Sequence, residues 1–176
     1  MALNIVHLPP EATIKVLEDD TLDFALSMGL RHGKTIRSAV LFDDRMCCVM
    51  RADHPLAATN LTMARFLKSE HMRVAMSPTD IRFVDNVIAD RGLRRRVALT
   101  VPHWLLVPRT LLDTDLLAVV SRKLAEQFTG DGRIVVKSLP FDSESFAWQL
   151  YWHRRYDRSP AHVWIREAVI AVCADL

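Results

Sequence analysis

Residues 145–172 read SFAWQLYWHRRYDRSPAHVWIREAVIAV and join two apolar runs through a short basic cluster. The first run is rich in aromatic residues and predicts a strand over 146–154. The strand ends in the HRR cluster at 153–155. A Ser159-Pro160 step follows and predicts the start of a helix over 159–174, with serine as the N-cap and proline at the first helical position. The stretch therefore predicts a strand that leaves the core and a helix that packs back onto the sheet.

The cluster at 153–155 has three possible interpretations: a nucleic-acid patch, a catalytic group, or the point where a strand meets solvent. Asp157 lies close enough in sequence to pair with an arginine, although an exposed ion pair contributes little stability. We interpret the cluster as a strand exit. The helix behind it is expected to seal the sheet with an apolar stripe made of Val163, Trp164, Ala168 and Val172.

Composition excludes several classes of protein. The chain has 176 residues and a formal net charge of +2. This charge does not by itself indicate nucleic-acid binding, which needs a concentrated basic face. Cys47, Cys48 and Cys173 form neither a zinc spacing nor an even disulfide set, and the adjacent pair should point to opposite faces of a strand. We find no signal peptide and no apolar run of about 18 residues. We therefore expect a cytoplasmic globular protein without a cofactor.

Strand and helix patterns alternate along the rest of the chain. Apolar runs predict strands over 3–8, 22–28, 38–44, 45–51, 72–77, 94–101, 115–121 and 133–139. Other patterns predict a helix opened by Pro9-Pro10-Glu11 and helices over 61–69, 77–93, 103–114 and 122–128, with Gly92 as the stop of the helix over 77–93. This alternation, with short connections, predicts an α/β fold with a mostly parallel sheet.

Six segments, taken in order, resemble one family. They read LDFALSM (22–28), LFDDRMCCVMRADHPLA (41–57), LTMARFL (61–67), VAMSP (74–78), GLRRRVALTVPHWLLVPRTLLDTDLLAVVSRKLA (92–125) and YWHRRYDRSPAHVWIREAV (151–169). Each segment is weak evidence alone, but the run from FDDR to RADHPLA and the ending from WHRR to SPAHVWIR are specific together. From about Leu3 to Val172, the chain resembles the effector-binding domain of LysR-type transcriptional regulators.

The resemblance implies a fold and a division into lobes. The family fold is that of type 2 periplasmic binding proteins, in which two Rossmann-like α/β lobes are joined by two crossing strands and a small effector binds between them. On that fold, the first lobe (regulatory subdomain I) would comprise residues 3–73 and 142–176. The second lobe (regulatory subdomain II) would comprise residues 74–141.

Two departures from the family pattern limit what the resemblance implies. The N-terminal winged helix-turn-helix that contacts DNA in the family is absent from this sequence. The effector domain also usually opens with one more strand and helix before the position of Leu3, so we expect an incomplete first lobe. Three origins stay open: a truncated gene product, a piece cut from a longer protein, and a fragment that restores the missing strand by pairing with another chain.

The resemblance also implies partners. They are a small-molecule effector, a second copy of the chain in a homo-oligomer (dimer or tetramer), and DNA only through the winged helix-turn-helix; no membrane is expected. The apolar segment 104–112 either contributes to the contact between subunits or is buried on both faces within its lobe.

Ligands of open α/β sheets bind beyond the carboxyl ends of the strands. This rule selects four places, which together contain Pro10, Glu11, Met28, Gly29, Ser77, Thr79, Pro102, His103 and Trp104. The family's effector contacts cluster at the same kinds of position. Hydroxyls and a helix N-terminus facing an aromatic ring favour an anionic or aromatic effector. Plain alternatives remain open: Ser77 and Thr79 as helix caps, His103 as a loop residue and Trp104 as a core residue.

Two rival functions have less support in the sequence. Scattered acids and the histidines His7, His32, His54 and His71 form no triad, metal spacing or phosphate loop, so we predict that the chain is not an enzyme. Arginines 94–96 stand between a helix stop and a strand, without the interleaved aromatic residues of a nucleic-acid surface. We expect them to form a solvated edge.

Overall fold

The structure is a computed structural model, and it describes residues 2–75 and 83–174, without the side chain of Phe83. In these ranges the elements are α1 Pro10–Glu18, β1 Phe24–Met28, β2 Ile36–Asp44, β3 Met46–Arg51, α2 Met63–Lys68, β4 Glu70–Val74, α3 Phe83–Ala89, β5 Arg96–Val101, α4 Leu106–Leu112, β6 Leu117–Ser121, α5 Arg122–Glu126, β7 Ile134–Lys137, β8 Phe146–His153, a 3-10 turn Arg154–Tyr156 and α6 Pro160–Ala174. The α/β class predicted from the sequence is confirmed.

The chain divides into two compact units, but not at the positions predicted for the lobes. Unit 1 comprises Met1–Asp44 and Phe146–Leu176, and unit 2 comprises Arg45–Ser145. The chain therefore crosses between units after β2 and before β8, whereas the sequence placed the boundaries near residues 73 and 141. The reason is strand pairing: β3 and β4 both pair with β6, which holds them in unit 2.

Unit 1 is built on an antiparallel sheet in the order β1-β8-β2. β8 is its central strand, although it follows all of unit 2 in the chain. The core contains Leu17 of α1 with Ala25, Ile36 and Tyr151 from the three strands. The hydroxyl of buried Tyr151 accepts a hydrogen bond from the backbone N–H of Leu30 at 3.2 Å.

The predicted strand over residues 3–8 is wrong. In the structure this segment has no regular secondary structure, and Leu3, Ile5 and Val6 are exposed. A strand needs a hydrogen-bonded neighbour, and the sheet of unit 1 as described contains only β1, β8 and β2. Apolar composition alone therefore does not make this segment a strand.

Unit 2 has a mixed sheet in the order β5-β4-β6-β3-β7. β4 pairs parallel with β5 and β6, whereas β3 pairs antiparallel with β6 and β7 and so runs against the other four strands. The expectation of a mostly parallel sheet is thus correct for part of one unit. Cys47 belongs to the core shared with α4 and α5, and Cys48 to the core shared with α2 and α3, so these neighbours point to opposite faces as predicted.

The apolar segment 104–112 is only half buried. Val107 and Leu111 have no exposed surface, whereas Leu105 and Leu106 are exposed. Burial on both faces is therefore excluded for this segment. A subunit contact there stays a prediction.

The apolar stripe of α6 that was predicted to pack on the sheet is wrong, because most of its residues lie on the exposed side of the helix. Trp164 is 59% and Val172 is 74% exposed, and Ala168 is also exposed. The face turned inward carries His162 and Cys173, which are buried. Two polar side chains of α6, His162 and Arg166, lie against aromatic rings. No helix in the described ranges is long and apolar enough to cross a membrane.

Candidate functional site

The carboxyl ends of β4 and β5 lie side by side in unit 2. The N–H of Ala75, just after β4, donates to the carbonyl of Val101 at the end of β5, at 3.0 Å. The segment 102–104 follows immediately, with Pro102 and His103 exposed and Trp104 partly buried against the core. The structure thus places these three predicted residues at one edge of the sheet.

Ser77 and Thr79, which the sequence assigns to the same edge, lie outside the residues that the structure describes. The backbone on either side of them is placed, since β4 ends at Val74 and α3 begins at Phe83. Their role as ligand donors or helix caps stays a prediction.

The predicted positions in unit 1 lie at the start of α1 and at the end of β1. Pro10 opens α1 and Glu11 is exposed in its first turn. Met28 closes β1 opposite Trp148 of β8. Gly29 follows with φ +63°, a conformation that favours glycine, and no atom lies within 4 Å of where a Cβ would be.

The RADHP motif that contributed to the resemblance has a structural role. Arg51 at the end of β3 pairs with Asp115 at 2.6 Å. Nδ1 of buried His54 accepts from the N–H of Leu56 at 2.9 Å, so Nε2 carries the proton and donates to the carbonyl of Asp115 at 3.1 Å. The motif therefore attaches the end of β3 and the turn after it to Asp115 in the segment that leads into β6, and both ring nitrogens of its histidine are engaged in hydrogen bonds.

The cluster at 153–155 lies where β8 leaves the sheet, as predicted. His153 Nδ1 accepts from the N–H of Arg155 at 3.0 Å and thereby caps the 3-10 turn. Arg155 Nη2 donates to the carbonyl of Glu18 at 2.6 Å. The Nε1–H of Trp152 donates to Asp157 at 2.8 Å, and this bond, with help from Arg37, lowers the pKa of the Asp157 carboxyl. The cluster ties chain segments together within unit 1.

Aromatic stacking holds α6 on the same part of unit 1. The His162 ring stacks on Tyr156 with centroids 3.9 Å apart, and Phe24 lies 4.8 Å away. The guanidinium of Arg166 lies over the ring of Trp152 at 4.7 Å. Polar side chains therefore occupy the inward face that pattern analysis assigned to apolar ones.

The three arginines at 94–96 do not form a uniform solvated edge. Arg94 and Arg96 are exposed, but the side chain of Arg95 is only 3% exposed. It makes two hydrogen bonds to Asp85 of α3, Nε to Oδ1 at 2.6 Å and Nη2 to Oδ2 at 2.9 Å. The expectation was wrong for Arg95 because a charged side chain with a paired partner can be buried.

His71 of β4 is fully buried close to the Arg95–Asp85 pair. Its Nε2–H donates to the carbonyl of Phe66 at 2.7 Å, and its ring lies 4.5 Å from the Phe66 ring. Burial lowers the pKa of His71 to about 4. It is therefore neutral at physiological pH and serves packing, a role that its position in the sequence did not indicate.

Reactive and metal-binding groups do not assemble in the described residues. The three cysteines are buried and form no disulfide in the described residues, and burial raises the pKa of Cys48 well above its ordinary value, so its thiol is protonated. No group of three histidine, cysteine, aspartate or glutamate side chains in the described ranges could hold a metal ion.

Comparison with known proteins gives consistent matches. A family model described as the LysR substrate binding domain matches residues 1–174. The chain is 28% identical to the transcriptional activator NagR of Ralstonia sp. over 159 residues, covering 90% of this chain and 53% of NagR. It is 30% identical to the transcriptional activator NahR of Pseudomonas putida over 185 residues, covering 97% of this chain and 61% of NahR. The regulatory domain of MexT from Pseudomonas aeruginosa has the same fold, with a TM-score of 0.76 at 21% identity, covering 90% and 76%.

The Arg95–Asp85 pair is expected to be essential for the stability of unit 2. Arg95→Met leaves the Asp85 carboxylate largely buried without a partner and should lower the free energy of unfolding by about 3–5 kcal/mol. Urea denaturation measures the loss. The matched control is Arg96→Met, which breaks an exposed pair with Glu70 at 3.0 Å and should cost less than about 1 kcal/mol. Equal losses in the two variants would contradict a structural role for the buried pair.

Neutral His71 is expected to make stability depend on pH. Its folded pKa of about 4 lies below the ordinary value of 6.5, so the unfolded chain takes up the proton first. The stabilising contribution is complete above about pH 6.5 and falls by roughly 3 kcal/mol as the pH drops towards about 4.

The test compares the slope of unfolding free energy against pH for three proteins. His71→Gln keeps a donor for Phe66 but cannot titrate, so its slope between about pH 6.5 and 5 should be shallower than that of the wild type. His7→Gln, which replaces an exposed histidine, should keep the wild-type slope. A wild-type slope in His71→Gln would show that other groups cause the pH dependence.

Proposed function

The chain belongs to the family of LysR substrate binding domains, and from this membership we propose that it is the part of a transcriptional regulator that binds a small-molecule effector. Its relatives NagR and NahR are transcriptional activators, which supports a regulatory rather than a catalytic role. The chain spans 53% of the length of NagR and 61% of that of NahR, so a regulatory activity like theirs is itself proposed for this chain.

The observation that carries the proposal is the adjacency of the ends of β4 and β5. Ligands of parallel α/β sheets bind at such ends, because the backbone there is free of strand pairing and the following segments can surround a small molecule. His103 is exposed and can donate or accept a hydrogen bond, while Trp104 is held by the core on one side. We propose that these residues, with Pro102, contact the effector.

The chemistry at this edge favours an aromatic or anionic organic molecule. A partly buried indole offers a flat surface for a ring, and an imidazole can donate to a carboxylate. Ser77 and Thr79 stay in the proposal as hydroxyl donors predicted by sequence. Pro10, Glu11, Met28 and Gly29 also stay in the proposal, as candidate effector contacts predicted from the sequence.

Regulation would follow from a shift between conformations. An effector that binds one conformation better than another moves the equilibrium by the difference in its two affinities. We further propose that the protein is cytoplasmic, that it works as a homo-oligomer, and that contact with DNA comes from a winged helix-turn-helix outside this sequence.

Isothermal titration calorimetry with a panel of small aromatic acids tests the proposal. We expect saturable heat with at least one acid. His103→Ala should weaken that binding about tenfold, since it removes one hydrogen bond to a charged group. The control is Asp90→Ala. Asp90 is exposed and lies in the turn between α3 and β5, before the amino end of β5, so its variant should keep the wild-type affinity for the acid.

Two outcomes would oppose the proposal. Absence of heat and of thermal stabilisation across the panel would favour the alternative that this chain is a fragment without ligand binding of its own. Equal weakening in His103→Ala and Asp90→Ala would show that the ligand does not bind at the carboxyl ends of β4 and β5.

A further inference from the structure

The connection between β1 and β2 runs back along the sheet of unit 1. Both strands pair antiparallel with β8, so they point in the same direction, and β1 ends opposite Trp148 whereas β2 begins opposite His153. The stretch of β8 between these two levels is about 17 Å long. Residues 29–35, which span at most about 24 Å when fully extended, must cover this distance over one face of the sheet.

Backbone hydrogen bonds hold the end of this connection next to β2. The N–H of Ile36 donates to the carbonyl of Gly33 at 3.3 Å, and the carbonyl of Thr35 accepts from the N–H of Arg154 at 2.8 Å. The hydroxyl of Thr35 also donates to Oε1 of Glu18 at 2.8 Å. This end is therefore fixed without help from the residues nearer β1.

The end of the connection next to β1 has one polar anchor. The N–H of Leu30 donates to the hydroxyl of Tyr151 at 3.2 Å. In the described ranges, no other hydrogen bond joins residues 29–32 to the rest of unit 1. The ring of His32 also lies edge-on to the ring of Tyr151, with centroids 5.6 Å apart. Tyr151 thus holds this part of the connection on the sheet.

The core fixes the ring that carries this hydroxyl. Tyr151 lies on the central strand β8, is 1% exposed and packs with Leu17, Ala25 and Ile36. The side chain of Leu30 packs against the same cluster. A buried tyrosine hydroxyl usually finds a hydrogen-bond partner, and here the partner is a backbone group of the connection. A rigid side chain therefore holds a segment that has little regular structure of its own.

The hydroxyl acts next to two of the positions predicted to contact the effector, Met28 and Gly29. Leu30 directly follows Gly29, whose φ of +63° favours glycine although no atom lies within 4 Å of where a Cβ would be. A glycine in such open surroundings can leave this conformation easily unless its neighbour is fixed. The bond between Leu30 and Tyr151 therefore restricts the backbone at both predicted positions.

We propose that Tyr151 is a positioning residue for effector binding. Its hydroxyl holds residues 29–32 over the sheet and keeps Met28 and Gly29 in the conformation that a ligand would meet. This role rests on the proposed function, because it takes Met28 and Gly29 as effector contacts. A ligand that binds a segment already in place does not have to order that segment, so the hydroxyl raises the affinity without touching the ligand.

Amide hydrogen exchange tests the positioning in the protein without ligand. Tyr151→Phe removes the hydroxyl and keeps the ring, so the core should stay packed. The amide of Leu30 should then exchange with solvent about fivefold faster, which is the change expected from the loss of one hydrogen bond. Exchange followed residue by residue with NMR measures this effect.

Calorimetry with the panel of small aromatic acids tests the effect on binding. For an acid that gives heat with the wild type, Tyr151→Phe should weaken binding about threefold or more, because the ligand must now order the segment itself. The matched control is Tyr156→Phe. Tyr156 is the other tyrosine of the chain, and its hydroxyl donates to Asp20, so this variant also loses one hydroxyl bond within unit 1. It should keep both the wild-type exchange of Leu30 and the wild-type affinity, and thermal melts confirm that both variants fold.

Four results would overturn the role of Tyr151. Unchanged exchange of the Leu30 amide in Tyr151→Phe would mean that other contacts hold the segment, whether or not any acid binds. Faster exchange with unchanged affinity would mean that the segment takes no part in effector binding. Equal weakening in the two phenylalanine variants would assign the loss to general destabilisation of unit 1. Absence of heat from every acid with the wild type would refute the proposed function and with it the effector role of Tyr151. The exchange measurement needs no ligand, so it separates this last result from a segment that the hydroxyl does not hold.

Discussion

The position of β8 between β1 and β2 is the constraint on which unit 1 depends. In the described residues β1 and β2 meet through β8 alone, so they form a sheet only after the chain has passed through all of unit 2 and returned. Asp44, the last residue before unit 2, is the register partner of Phe146, the first residue after it. Unit 2 is therefore an insertion whose two ends are fixed side by side, and its folding would reduce the entropy cost of bringing β8 to its neighbours.

Features set by local chemistry were predictable from the sequence. Thr62, a residue type favoured at N-caps, accepts from the N–H of Arg65 at the start of α2, and Gly92 lies just beyond the end of α3 at Ala89, with φ +69°. Cys47 and Cys48 point to opposite faces because alternation is a property of any strand. Features set by distant partners were not. The segment 3–8 has the composition of a strand, but in the described residues no strand pairs with it. The boundaries of the two units depend on the pairing of β3 and β4 with β6, which are far apart in the sequence.

The inward face of α6 shows a second limit of pattern analysis. Counting apolar residues as buried selects Trp164 and Val172, yet these are exposed while His162 is buried and Arg166 lies over an aromatic ring. Stacking on Tyr156 and Trp152 compensates for turning polar groups inward, and a one-dimensional pattern cannot show which rings will be available. Arg95 follows the same principle, with Asp85 as its partner. At the candidate site, topology predicted where residues 102–104 lie, but not which side chains are exposed there.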